Sequence, residues 1–174
     1  MKKYKIDHET FNLGLKPNEL KIFIVLSNIA DEQNRVYNAD IEISKLIGLS
    51  RQQMNPYKRR LIGKGLIIKH GLCNYEIAQL DGQEFLSVDA TLFSPKRDIT
   101  PSELSTYLFL LLILQATSVA PSMTNIASFQ GRTKVTTVAQ MRSLISKGYI
   151  KPTKLPRGTH SYEYEILDVP PIED

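Results

Sequence analysis

The side chains best able to do chemistry are concentrated in two stretches. In GLSRQQMNPYKRRLIGKGLI, residues 48–67, Met54, Tyr57 and Leu61 stand at i, i+3 and i+7, the spacing of one helix face, so they are expected to turn towards a core. The opposite face then carries Gln52, Asn55 and Arg59, flanked by Arg51, Lys58 and Arg60. Amide and guanidinium groups so placed suit hydrogen bonds to base edges in a major groove, and the cations suit the phosphates beside it. The second stretch, GRTKVTTVAQMRSLISKGYI at 131–150, repeats the plan. Gly48 and Gly131 permit a sharp turn between helices, and Ser50 and Thr133 offer an oxygen to cap the helix that follows.

Charge is segregated around these stretches. Between Ile43 and Tyr75 there is no acid, while Lys45, Arg51, Lys58, Arg59, Arg60, Lys64 and Lys69 are basic. Between Leu104 and Tyr162 there is again none, with Arg132, Lys134, Arg142, Lys147, Lys151, Lys154 and Arg157 supplying the positive charge. The net charge of +4 therefore conceals two basic windows, and all 18 acids lie outside them. Such windows favour a polyanion that releases condensed counterions when bound.

Other chemistries find little support. No stretch fits a phosphate-cradling loop, an HExxH zinc site or a nucleophile elbow. His8, His70 and His160 are scattered; His70 and Cys73 stand three apart, but two ligands make a poor metal site. DNA strand transfer would need a nucleophile with metal-binding histidines nearby, and that cluster is missing. A protein without enzymatic activity, metal or cofactor is expected. The lone cysteine, Cys73, allows no internal disulfide and points to a reducing, cytoplasmic setting. The start MKKYKIDHET lacks the apolar core of a secretory signal, and the longest apolar run, Tyr107 to Leu114, is far short of the roughly 20 residues needed to cross a bilayer. A soluble chain with no membrane partner follows.

The elements that must position these residues are themselves duplicated. A shift of 83 superposes Ile43, Leu46, Gly48, Ser50, Leu61, Lys64, Gly65 and Ile67 on Ile126, Phe129, Gly131, Thr133, Leu144, Lys147, Gly148 and Ile150. Upstream the shift is 84, bringing Pro17, Glu19, Leu20 and Phe23 onto Pro101, Glu103, Leu104 and Tyr107, and IDHETF at 6–11 resembles VDATLF at 88–93. The boundary is expected near residues 79–84, giving units 1–80 and 81–174. Each unit reads as an extended segment, a first helix opened by Pro and Glu, a short helix, a turn, a basic helix and a hairpin. The first helices are apolar on more than one face and should lie at the centre of their units. A helix-turn-helix followed by a hairpin is a winged helix, so the expected fold is α+β with two tandem winged helix-turn-helix units.

Two ambiguities remain at this level. Pro56 inside the first basic helix implies either a bend there or a late start with Asn55 as cap. In the second basic helix, alignment turns Thr137, Met141 and Leu144 inward, whereas Val135 and Val138 favour a rotated phase.

The order "extended segment, xPxEL helix, IxxSKLIGLSRQQ, RRLIGKGLI, wing" resembles the winged helices of plasmid and phage replication initiators, and more distantly MarR-like and GntR-like regulators. The duplicated form at this length looks most like the TraN-like DNA-binding transfer proteins of conjugative plasmids from Gram-positive bacteria. That resemblance implies an internal pseudo-dimer with strands between its halves, monomeric, binding double-stranded DNA near a transfer origin, with other transfer or replication proteins as further partners. It also implies that Arg51, Gln52 and Asn55, with Lys134 and Thr136, face the groove. The full set of candidate DNA contacts is Arg51, Gln52, Gln53, Asn55, Lys58, Arg59, Arg60, Arg132, Lys134, Thr136, Thr137, Arg142, Lys154 and Arg157. Because Arg51-Gln52-Gln53 differs from Lys134-Val135-Thr136, the two half-sites should differ in sequence. The alternatives are a replication initiator, a transcriptional repressor, or a winged-helix module that assembles proteins.

Overall fold

A computed structural model describes residues 2–117, 121–153 and 163–170 and shows an α+β chain. Internal contacts divide it into two compact units, Met1–Arg97 and Asp98–Asp174. This division falls later than the 80/81 boundary of the repeat, and strand pairing is the reason. β1 (Lys3–Asp7) and β5 (Phe85–Asp89), the segments that open the two repeats, pair antiparallel within the first unit. Tyr4, Ile6, Leu86 and Val88 are buried while Lys3, Lys5, Phe85 and Ser87 are exposed, the period-two pattern of a sheet with one covered face. Both strands end alike: Asp7 and Asp89 each accept the N–H two residues on, from Glu9 and Thr91, at 2.8 Å, and bend the chain into a short 3-10 turn.

In the first unit α1 (Pro17–Ile29) starts with Pro17, whose missing N–H costs a first turn nothing, and the Glu19 carboxylate accepts the Lys16 N–H at 3.0 Å. Leu20 and Ile22 through Leu26 are all buried, so the helix is covered on every side, by α2 (Ala39–Ile47), α3 (Arg51–Gly63) and β1. Near its end Asn28 exchanges two hydrogen bonds with the Lys5 backbone, at 2.7 and 2.8 Å, and so satisfies the edge of β1. β2 (Arg35–Val36), β3 (Ile67–His70) and β4 (Asn74–Ile77) form an antiparallel sheet in the order β2-β4-β3, with Val36, Ile67, Tyr75 and Ile77 buried.

The second unit holds α4 (Pro101–Thr117), α5 (Met123–Phe129), α6 (Lys134–Ser146) and the antiparallel pair β6 (Ile150–Thr153) and β7 (Glu163–Ile166). Thr100 and Glu103 form a capping box in both directions, at 2.7 and 3.2 Å. Residues Glu103 to Leu110 of α4 are buried, and α4 and α5 both pack on α6. Among the described residues no helix is long and apolar enough to cross a membrane.

Candidate nucleic-acid interface

The two turns that aim α3 and α6 are built alike. Gly48 has φ +71 and Gly131 φ +61, left-handed conformations that cost a side-chain-bearing residue about 1 kcal/mol or more. At Gly48 space is the stricter demand, because a Cβ would collide with Pro95. Ser50 then caps α3: its hydroxyl accepts the Gln53 N–H at 3.3 Å while Gln53 Oε1 accepts the Ser50 N–H at 2.8 Å. Thr133 accepts the Thr136 N–H at 3.2 Å to begin α6. Because the cap sits at Ser50, α3 begins at Arg51 and runs continuously past Pro56; the late start at Asn55 does not occur.

The inward stripe of α3 is Met54, Lys58 and Leu61, spaced i, i+4 and i+7, with Tyr57 only half-buried. Lys58, expected to meet DNA, is 3% exposed and pairs with the equally buried Asp40 of α2, whose other oxygen accepts from Arg51 Nε at 2.9 Å. The Lys58 ammonium also lies 5.5 Å from the centre of the Tyr75 ring. It takes a core position and reaches no partner outside. A signal was present in the repeat, since Lys58 aligns with Met141 and Asp40 with Met123, both apolar and buried.

In α6 the inward residues are Thr137, Gln140, Met141 and Leu144, so the phase given by alignment holds and the rotated one does not. Thr137, another candidate contact, is fully buried and its hydroxyl donates to the Thr133 carbonyl at 3.2 Å. It occupies the position aligned with Met54.

The outward faces are now defined. On α3 they carry Gln52, Asn55, Pro56 and Arg59, all exposed. Arg51 is exposed as well, though held by Asp40. Gln53 is exposed but engaged in the cap, and Arg60 donates to Glu19 at 3.1 Å. On α6 Lys134, Val135, Thr136, Ala139 and Arg142 are exposed and Val138 is half-buried. Arg132, before the helix, donates to Ser102 at 3.0 Å, and burial pushes its guanidinium below the usual range. Lys154 and Arg157 lie outside the described residues.

Folding brings acids to windows that lack them in sequence. Glu19 takes Arg60, Asp40 takes Lys58 and Arg51, and Lys147 lies 2.9 Å from Glu103 and 3.2 Å from Asp98. Burial alone would lower the Lys147 ammonium, but hydrogen bonds and charge from Glu103 and Asp98 hold it above its ordinary value. Glu103 is pushed up by burial and more than brought back by hydrogen bonds from Ser143, Thr100 and Lys147, so its carboxyl lies below the usual range. Arg59, Lys134 and Arg142 form no ion pair among the described residues.

His70 pairs with Glu76 at 3.0 Å, and the Cys73 sulfur lies 3.8 Å from Asp40. Among the described residues no group of three or more His, Cys, Asp or Glu could hold a metal ion. Comparison with protein-family models, with curated proteins and with solved structures returned no match.

Proposed function

We propose that each unit is a winged helix-turn-helix and that the chain binds double-stranded DNA without catalysing a reaction, α3 and α6 being the recognition helices. The observation that carries this reading is the pair of outward faces: two helices, each capped by a hydroxyl residue after a left-handed glycine, expose Arg59, Lys134 and Arg142 with no neutralising acid among the described residues. The element order around them supports the winged form, since helix, strand, helix, helix and hairpin follow one another in the first unit and close as a β2-β4-β3 sheet. A role as an accessory or regulatory protein in conjugative transfer, near a transfer origin, rests on the resemblance of the sequence to TraN-like proteins.

Selection from a random duplex pool, followed by footprinting of the winner and of DNA neighbouring the gene, tests both parts. The expected outcome is a bipartite site whose halves differ, because Gln52 and Asn55 of α3 have no polar counterparts in α6. A perfect palindrome, or no duplex selected above background, would overturn the reading. Protection beside a replication origin, and none at a transfer origin, would replace transfer by initiation.

A further inference from the structure

The four outward positions of α3 each have a counterpart on α6. Gln52, Asn55, Pro56 and Arg59 align with Val135, Val138, Ala139 and Arg142 under the 83-residue shift, at i, i+3, i+4 and i+7 of each helix. The arginine is kept while both amides become valine. Val135 is 80% exposed, and with Val138, Ala139, Lys134 and Arg142 it lines a shallow, almost wholly apolar concavity of about 380 Å³. An exposed aliphatic stripe on a helix that already has a full inward stripe is not explained by packing.

We infer that this face of α6 reads the C5-methyl groups of thymines in a major groove, so that the second unit selects its half-site by methyl contact where the first selects by hydrogen bonds. The inference rests on the DNA-binding reading and deepens it. Charge complementarity names the occupant: the apolar strip is bracketed by Lys134 and Arg142, cations without an ion pair among the described residues, so its ligand is apolar along the middle and anionic at both margins. A thymine-bearing groove walled by phosphates has that form, and contact with the thymine methyl is how aliphatic side chains read it. A protein partner fits less well, because protein interfaces are anchored by large aromatic or arginine side chains in deep pockets, and this strip offers only small aliphatics.

The test uses the duplex selected by the whole chain, with the half contacted by α6 identified as the one whose protection weakens in Arg142→Ala. Thymidine is replaced there by deoxyuridine, which removes the methyl group and leaves base pairing intact. Wild-type affinity should fall about fourfold for each contacted methyl, the value of one buried methylene. Substitution in the other half should change affinity less than twofold. In the variant carrying Val135→Ala and Val138→Ala the deoxyuridine effect should shrink below twofold. Selective duplex binding that is indifferent to deoxyuridine, or equally sensitive in the variant, would overturn the inference and leave DNA binding standing. No duplex binding at all would overturn both. A DNA-free dimer abolished by the same two substitutions would make the face a protein interface and overturn the inference.

Discussion

Asp40 and Lys58 place a full ion pair where the second unit has Met123 and Met141. Burying two charges costs several kcal/mol, recovered only through their mutual attraction, so a well-packed apolar pair is often as stable. Lys58→Met alone should therefore destabilise the protein by about 3 kcal/mol, the low end for a broken buried pair because Arg51 still holds Asp40. Adding Asp40→Met should restore most of the loss, and urea midpoints of the three proteins measure it. A neutral single variant would show that the pair is not buried in solution. Lys21 behaves oppositely. It is 6% exposed, has no ion pair among the described residues, and burial lowers its ammonium from 10.5 to about 8. Between those values the unfolded chain binds the extra proton, so this group makes stability rise as pH increases from about 8 towards 10.5. Lys21→Met should stabilise the protein at pH 7 by on the order of 2 to 3 kcal/mol and remove that rise. Denaturant midpoints at pH 7 and pH 10 check it; an unchanged rise would assign it to another group. Lys147, raised above its ordinary value, contributes in the other sense, its stabilisation being present below the unfolded value and lost as pH climbs through the folded one.

At the scale of elements, α3 carries a defect that α6 lacks. Pro56 sits inside the helix, where it lacks the N–H that would bond the turn before, and α6 has Ala139 at the aligned position. Pro56→Ala should raise stability by about 1 to 3 kcal/mol, seen as a higher Tm; a lower Tm would mean that the proline ring supports the fold. Much at this level was legible in advance. Ser50, Thr133 and the paired glycines mark helix starts and turns because capping and left-handed backbone depend on local residue type. The phase of α6 was legible from alignment with α3 but not from periodicity, since the helix is aliphatic on one face and carries Thr137, Gln140, Met141 and Leu144 on the other. Those polar groups are tolerated inside because they are bonded: Gln130 donates to the Thr106 hydroxyl at 2.8 Å and that hydroxyl donates to Gln140 at 2.7 Å. Periodicity cannot see such a network, which links residues far apart in the chain.

At the scale of the whole molecule the repeat foretold the duplicated elements, but neither the boundary of compaction nor the surface charge. The division falls at Arg97 and Asp98 because β5 pairs with β1, a long-range choice that no local signal encodes. The basic windows lose Arg51, Lys58, Arg60 and Lys147 to carboxylates that arrive from outside them, so the field offered to a polyanion is narrower than composition suggests. What remains on the outward faces centres on Arg59, Lys134 and Arg142.

The salt dependence of duplex binding tests these faces most directly. Wild type and the variant carrying Arg59→Ala and Arg142→Ala would be titrated with the selected duplex across a range of salt concentrations. If both arginines meet phosphate, the slope of log affinity against log salt should flatten by about 1 to 2 in the variant, roughly 0.9 per contact. An identical slope in the two proteins would contradict the assignment of α3 and α6 as the surfaces that hold DNA.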